Sequence, residues 1–449
     1  MVAIIHPLFR AFSVADSLRH ATWPIHQAVS PNRTCVVQQL HGRQGDDTDA
    51  VIAAFQQCSQ NARVVFKEGI TYNAYRPVQI TGLNNVEVEI NGNIQLPTNI
   101  SYIQNLVAEI TAEGIYGNPW FYIQGNDVSI VGSDDPRWGW FQGHGQQWWD
   151  IRNQTNRPRL AVFNVTNGYL AKLKHKQMIA WSWSLPGSNI LVEKCYSDNR
   201  PTNGTRDETI SFPFNTDGFN VGGKNVRINN YFGYNGDDAV SIVSGAKNVT
   251  VTNVYCGFSS HGMSIGSLGK NGANSIVEDV LFENVTMEGA VYGARFKSWV
   301  GGNGHASNVV YRNFKLINVS TAVFITQNYY DQALGPPPVT NSTNSTKVSN
   351  FHFENFVGYL NPRWTDGTCL TPNNLTACWN YVQGGDSTQG VILDLYNRTA
   401  TNLTFKNIHV RPYRQGYDDT TVICDPSVFD QEDLNNLGFV CRDGLYEET

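Results

Sequence analysis

Asn225-Val-Arg-Ile-Asn-Asn230 is followed, 23 residues later, by Asn248-Val-Thr-Val-Thr-Asn253. Both read Asn-apolar-x-apolar-x-Asn. Successive side chains of an extended strand point to opposite faces, so the apolar pair shares one face and the polar residues the other. The pattern returns as Asp279-Val-Leu-Phe-Glu-Asn284, Asn308-Val-Val-Tyr-Arg-Asn313, Asn350-Phe-His-Phe-Glu-Asn355 and Asn402-Leu-Thr-Phe-Lys-Asn407. Upstream, Asn85-Val-Glu-Val-Glu-Ile90, Asp127-Val-Ser-Ile-Val131 and Asn189-Ile-Leu-Val-Glu193 carry the same alternation behind the same kind of turn residue. Recurrent self-similarity of this kind marks a stack of repeats. The fold class predicted is all-β, a right-handed single-stranded parallel β-helix with apolar side chains stacked inward and asparagines laddering at the turns. A β-sandwich would need hairpin turns between matched strands. Asn203-Gly204 and Asn235-Gly236 do not separate strands in that way.

Working outward, a solenoid needs its first coil covered. Asp47-Thr48-Asp49 precedes Val51, Ile52, Ala54 and Phe55 at helical spacing, which predicts a short capped helix ending near Cys58. A Cys35–Cys58 bridge would staple it over the coil. Residues 1–34 read as an irregular lead-in, and 35–449 as one β-helix domain with a loop-rich C-terminal region. Cys369–Cys378 and Cys424–Cys441 are expected to staple that region. Two segments break the repeat. Gly335-Pro-Pro-Pro338 is an exposed loop. The aromatic run from Trp138 and Trp140 to Trp148 and Trp149 is either core or a platform for sugar rings.

The 449 residues carry a net charge of −6, with 40 glycines and 12% aromatics. That balance lacks the basic stripe of a nucleic-acid binder. It fits a β-rich protein that handles carbohydrate. Eight cysteines without a Cys-x-x-Cys pair argue for disulfides rather than zinc. Thirteen Asn-x-Ser/Thr sequons, from Asn32 to Asn402, favour a secretory route. The segment Met1–Leu18 is a poor secretory signal, interrupted by His6, Arg10 and Asp16, yet export remains the expectation. No apolar run is long enough for a transmembrane helix.

Four clusters hold the chemistry: Asn215-Thr216-Asp217, Gly236-Asp237-Asp238, Ser260-His261-Gly262 and Arg295-Phe296-Lys297. Coil stacking would gather them in one groove. Glycoside hydrolysis needs one carboxylic acid for the leaving oxygen and one carboxylate for water or attack. Mutual repulsion among three aspartates keeps one protonated while its neighbours stay ionised. Gly-Asp-Asp alone is most often a solvated turn or a calcium ligand. His261 alone is as well read as a core histidine, and Lys297 as a surface lysine. Arg-x-Lys on a strand, however, puts two cations on one face, which suits a sugar acid.

In this order and spacing the clusters resemble the polygalacturonases, glycoside hydrolase family 28. The resemblance covers roughly Thr34 to Asn355, including the Gly143-x-Gly145-x-x-Trp148-Trp149-Asp150 segment. It implies a pectinase-type right-handed parallel β-helix and inverting hydrolysis by single displacement, with no metal and no other cofactor. By motif, Asp237 matches the general acid, Asp217 and Asp238 the pair that activates water, and His261 the histidine supporting the acid. Arg295 and Lys297 match the cations that grip galacturonate carboxylates. Tyr329 matches a tyrosine on the leaving-group side, and Asn215 opens the first motif. The implied partner is a pectic polysaccharide, homogalacturonan or rhamnogalacturonan, acted on by a secreted monomer that binds neither nucleic acid nor membrane.

Two positions depart from the family pattern. Asn220 replaces a second aspartate found in many relatives, and Ala239 replaces a cysteine whose usual partner would be Cys256. Cys256 is then free or pairs with Cys195. The resemblance around Ser260–Lys270 and Ala294–Gly302 is to exo-acting members, which release terminal galacturonate. The nearest alternative is an exo-rhamnogalacturonan hydrolase or α-L-rhamnosidase of the same family, against which His261 counts. A calcium-dependent pectate lyase and a non-catalytic polysaccharide-binding β-helix are the readings from other classes.

Overall fold

The computed structural model describes residues 31–40, 45–108, 117–202, 211–330, 344–361, 382, 389–412 and 420–449. The Cys369/Cys378 pair, the 335–338 loop and nearly all of the lead-in lie outside the described residues. Strand after strand pairs in parallel with its counterpart one coil on. Lys224–Asn235 pairs with Lys247–Phe258, which pairs with Asn274–Glu288, then Asn303–Val319, Lys347–Leu360 and Ala400–Pro412. Val226 thus sits over Val249, Val280, Val309, Phe351 and Leu403, each buried. The next inward row, Phe282, Tyr311, Phe353 and Phe405, stacks its rings at 4.7, 5.1 and 4.7 Å between centroids. Burying one such side chain contributes roughly 1.5–3 kcal/mol, and the repeat applies that gain once per coil. The architecture is the expected parallel β-helix.

Both asparagines of the repeat turn out to be ladder residues. Asn225, Asn248, Asn350 and Asn402 hold φ near +50 to +55°, a left-handed region that asparagine tolerates better than other non-glycine residues. Each donates its amide to the equivalent residue one coil earlier, as Asn225 does to Asn189 and Asn248 to Asn225, both at 2.9 Å. The closing asparagines form a second ladder, with Asn313 donating to Asn284 at 3.1 Å and Asn355 to Asn313 at 3.0 Å.

The N-terminal cap is the helix Thr48–Gln57, which buries Val51, Ala54 and Phe55, with the Cys35–Cys58 disulfide beside it. Its cap differs from the expected one. The Asp47 carboxylate makes no cap bond but accepts from Leu40 N and Asn73 N, tying the helix entry to the coil. Asp46 instead accepts from Thr48 N at 2.9 Å. The first strand, Arg33–Val36, reaches two residues into the expected lead-in. At the other end the Cys424–Cys441 disulfide and an antiparallel pairing of Thr421–Cys424 with Gly444–Leu445 close the last coil. Cys195 and Cys256 are free and buried, so the open question raised by Ala239 resolves to two thiols. Of the aromatic run, Trp148 and Trp149 are core, while Trp140 is only half-buried.

Candidate active site

A row of short strands, Phe219–Val221, Val240–Ile242 and Met263–Leu268, continues into Tyr292–Trp299 and Thr321–Tyr329 and carries the site on its outer face. Phe219 pairs with Val240 and Val240 with Met263. Two residues earlier, Asp217, Asp238 and His261 therefore occupy the same position on three successive coils. Backbone bonds lock that register: Gly218 N donates to Asp238 O, Ala239 N to Gly262 O, and His261 N to Asp237 O, at 3.1, 2.9 and 2.8 Å.

The tight turn before Val240 has local causes. Asn235 donates its amide to the carbonyls of Asp237 and Asp238, at 2.6 and 2.9 Å. A side chain at Gly236 would meet Pro213 O at 2.6 Å, so only glycine lets the two turns approach. Gly262 is required by its φ of +77°.

All eight sequence-predicted residues converge here. Among them the three aspartates, His261, Arg295 and Lys297 are each no more than 7% exposed. Lys297 Nζ lies 2.8 Å from Asp238 Oδ2, and Ser264 Oγ donates to Asp238 Oδ1 at 2.5 Å. Arg295 stands 3.9 Å from the same Asp238 Oδ1. His261 Nδ1 is 2.9 Å from Asp237 Oδ1 and 3.1 Å from Arg295 Nη1. Asn215 donates to Asp237 Oδ2 at 2.9 Å. Tyr329 presents its ring 5.5 Å from the Lys297 ammonium and 5.8 Å from the Arg295 guanidinium. The cations share one face, as alternation along the strand requires.

Three carboxylates against two fixed cations leave one negative charge in a buried cluster, a strong reason to take up a proton. The raised carboxyl is Asp217. Burial pushes it well above the ordinary range, and the charges of Asp237 and Asp238 add to that, against Lys297 and His261. One Asp217 oxygen is buried without a hydrogen-bond partner. Asp237 shifts the other way: burial opposes its charge, but His261 first, then Lys297 and Arg295, hold it below the ordinary range. Burial and repulsion thus raise Asp217 and not Asp237, because His261, Lys297 and Arg295 cluster around Asp237.

The Asp237–His261 contact stores a second transferable proton. A guanidinium only donates. Either Nδ1 carries the hydrogen and donates to Asp237, or Asp237 carries it and both Asp237 and Arg295 donate to Nδ1. Asp237, Asp238 and His261 also place one donor atom each within 4.8 Å of the others, the spacing of a small cation site. Those atoms are already engaged with one another or with Lys297, so an ion would compete with the lysine for Asp238.

Sequence reasoning missed Arg157, 58 residues before Asn215. Its guanidinium donates to Asn215 Oδ1 at 2.6 Å and to Phe214 O at 3.0 Å, fixing which end of that amide faces Asp237. Nothing in the Asn156-Arg-Pro-Arg159 segment signals this. Ser264 had a signal: it lies on the strand after His261, facing Arg295 one coil on. Asn220, the departure from the family pattern, donates to Ser241 at 2.9 Å beside the cluster.

The chain matches the pattern of the glycosyl hydrolases family 28 over residues 78–411. It is 35% identical over 437 residues to a Neosartorya fischeri protein named probable exopolygalacturonase C, covering 94% of each. In fold it resembles the endo-xylogalacturonan hydrolase of Aspergillus tubingensis, with a TM-score of 0.71 at 19% identity, covering 92% of this chain and 99% of that one. The polygalacturonase of Erwinia carotovora gives 0.61 at 17% identity, covering 90% and 99%. With a family pattern across three quarters of its length and a relative of this identity along nearly all of it, the chain belongs to glycosyl hydrolases family 28.

Proposed function

We propose that this chain is a secreted exo-polygalacturonase, releasing terminal α-1,4-linked galacturonic acid from pectic chains by inverting hydrolysis. The observation that carries the reading is the pair of buried cations, Arg295 and Lys297, on the face holding three carboxylates. A uronate carboxylate can share both cations through charge-assisted bonds, whereas a neutral sugar offers them nothing.

The same competition makes the acid. By themselves, His261, Lys297 and Arg295 hold Asp237 ionised. A galacturonate carboxylate drawn to Arg295 and Lys297 offsets part of their pull. The proton shared by His261 and Asp237 then moves to Asp237, within reach of the leaving oxygen. As water enters, Asp217 loses its proton to solvent. The Asp217/Asp238 pair then takes a proton from the attacking water as its oxygen bonds to the anomeric carbon and the bond to the leaving oxygen breaks. Tyr329, whose ring lies 5.5 Å from the Lys297 ammonium, is assigned to the leaving-group side.

Exo action is the reading favoured by the 35% identical relative named probable exopolygalacturonase C. Val291, Tyr292, Phe324 and Ile392 are buried together, with Val382 and Ile423 against them, and the Tyr292 and Phe324 rings lie 4.4 and 5.9 Å from the Arg295 guanidinium. The two disulfides among the described residues fit export. No helix among the described residues is long and apolar enough to cross a membrane. The deciding experiment is chromatography of early products from polygalacturonate, with NMR of the first-formed anomer. Monogalacturonate alone, with inverted configuration, is expected. A ladder of oligomers would overturn exo action, and a retained anomer the single displacement. An unsaturated product would point to a lyase.

A further inference from the structure

Beside the cleft sheet, a second row of short strands carries a groove that hydrolysis does not use. Asn93–Gln95, Trp140–Gln142, Lys174–Lys176 and Tyr196–Asp198 stack in parallel, so Gln95, Gln142, Lys176 and Asp198 form one outward column. The groove above them holds about 860 Å³, within the range of natural ligand sites. None of the eight active-site residues lines it. The short helix Gln146–Asp150 runs on from groove residue His144, and Asp150 accepts from Ser211, four residues before Asn215.

Its chemistry is specific. Arg200 is committed, bonded to both oxygens of Asp198 at 2.8 and 2.6 Å and stacked 3.9 Å from the Tyr234 ring. Lys176 is exposed and, among the described residues, makes no ion pair; its ammonium lies 5.4 Å from the half-buried Trp140 ring. Gln142 uses its amide nitrogen on Gln177 at 2.9 Å, while its buried Oε1 accepts nothing from the described residues. His144 is kept neutral by burial and by Lys176, with only long contacts of 3.5 and 3.4 Å to Gln142 and Gln95. A flat aromatic face, an uncommitted cation and a buried acceptor without a donor are what a sugar acid would use: ring, carboxylate and hydroxyl.

We propose that this groove is a second binding site for anionic pectic polysaccharide, holding a uronate run outside the catalytic cleft. The inference rests on the polygalacturonase reading for the identity of the polymer. A chain held there raises its effective concentration at the cleft, a benefit that substrates too short to span both sites do not share.

The test uses Lys176→Gln and Trp140→Ala in two backgrounds. With Asp237→Asn to stop hydrolysis, each protein is run through native gels cast with polygalacturonate. Both variants should lose at least about half of the retardation, and Lys176→Arg should restore it. In the active background, KM for polygalacturonate should rise about three- to tenfold, as expected for one lost charge-assisted contact, with trigalacturonate kinetics unchanged. Unaltered retardation, equal loss on trimer and polymer, or equal retardation by neutral arabinan would overturn the proposal. An enzyme inert on every galacturonide, yet retarded through Lys176, would sink the hydrolytic reading while leaving the groove in place.

Discussion

Along one edge of the coil, Asn189, Asn225 and Asn248 hand one amide to the next at 2.9 Å. Along another, Asp217, Asp238 and His261 occupy matching positions on successive coils and cannot do so. An amide is its own complement, donor on one side and acceptor on the other. A carboxylate only accepts, so stacking two of them leaves repulsion that later coils must offset with Lys297 and Arg295. The first stack is satisfied at each step from Asn189 through Asn225 to Asn248. The second keeps a buried Asp217 oxygen without a partner and a carboxyl pushed far from its ordinary range. Repetition of one polar residue serves the fold, and interruption of that repetition by like charges marks the chemistry.

The most damaging change to the charged stack should be Asp237→Asn. It removes the proposed proton carrier while keeping the shape, and the amide oxygen can still accept from Asn215 or from Asp238 N, though not from both. Initial rates on polygalacturonate should fall by about 10²–10⁴, with the thermal midpoint nearly unmoved by calorimetry. A loss under tenfold would take Asp237 out of the acid's place.

Lys297→Ala should come next, lowering kcat/KM on oligogalacturonate at least about tenfold. Lys297 also sits on Asp238 at 2.8 Å. A neutral rhamnoside, if turned over at all, should therefore suffer too, but less, since it loses only the support of Asp238. Equal losses on both substrates would make the lysine purely structural.

These two stacks were unequally legible. The asparagine ladder could be read from the chain because each coil repeats the same six-residue unit, whatever loop length intervenes. The charged stack has no such period: Asp217 to Asp238 spans 21 residues, Asp238 to His261 23, and His261 to the equivalent Tyr292 31. Its members were found through their motifs and through family resemblance. Arg157 was invisible because its link to Asn215 runs through one side-chain bond between distant coils, which leaves no pattern in the chain. The carboxyl raised by its surroundings was also illegible, since adjacency of Asp237 and Asp238 suggests repulsion between those two, whereas burial and the placing of the cations single out Asp217.

A subtler break concerns pH. Asp217 has a folded pKa raised above its ordinary 3.8, so its favourable share of stability is complete below that value and is lost as pH rises through the folded one. Asp237, lowered, contributes in the opposite sense and is lost only in acid. Asp217→Asn should therefore abolish activity but raise the thermal midpoint at pH 7, by roughly 1–3 °C. At pH 4 the gain should shrink. Melting curves across pH 4–8 check this, and a variant less stable than wild type at pH 7 would contradict the buried-charge account.

The smallest effect belongs to the neutral stack, and it is the control for the others. Asn225 accepts from Asn248, donates to Asn189 and holds φ at 55°. Asn225→Gly keeps that backbone freely and loses only the two amide bonds. Both are partly open to water, so about 1 kcal/mol is expected. Asn225→Ala loses the same bonds and must also hold a left-handed conformation, which adds roughly 1 kcal/mol. Urea midpoints should therefore rank wild type above glycine above alanine, with kcat and KM unchanged in both, because the ladder touches none of the ionisable cluster. Alanine equal to glycine would show that the turn relaxes and that the ladder matters only through its amides. A fall in kcat with either variant would mean that coil register is passed from the neutral edge to the charged one, and the division between the two stacks would fail.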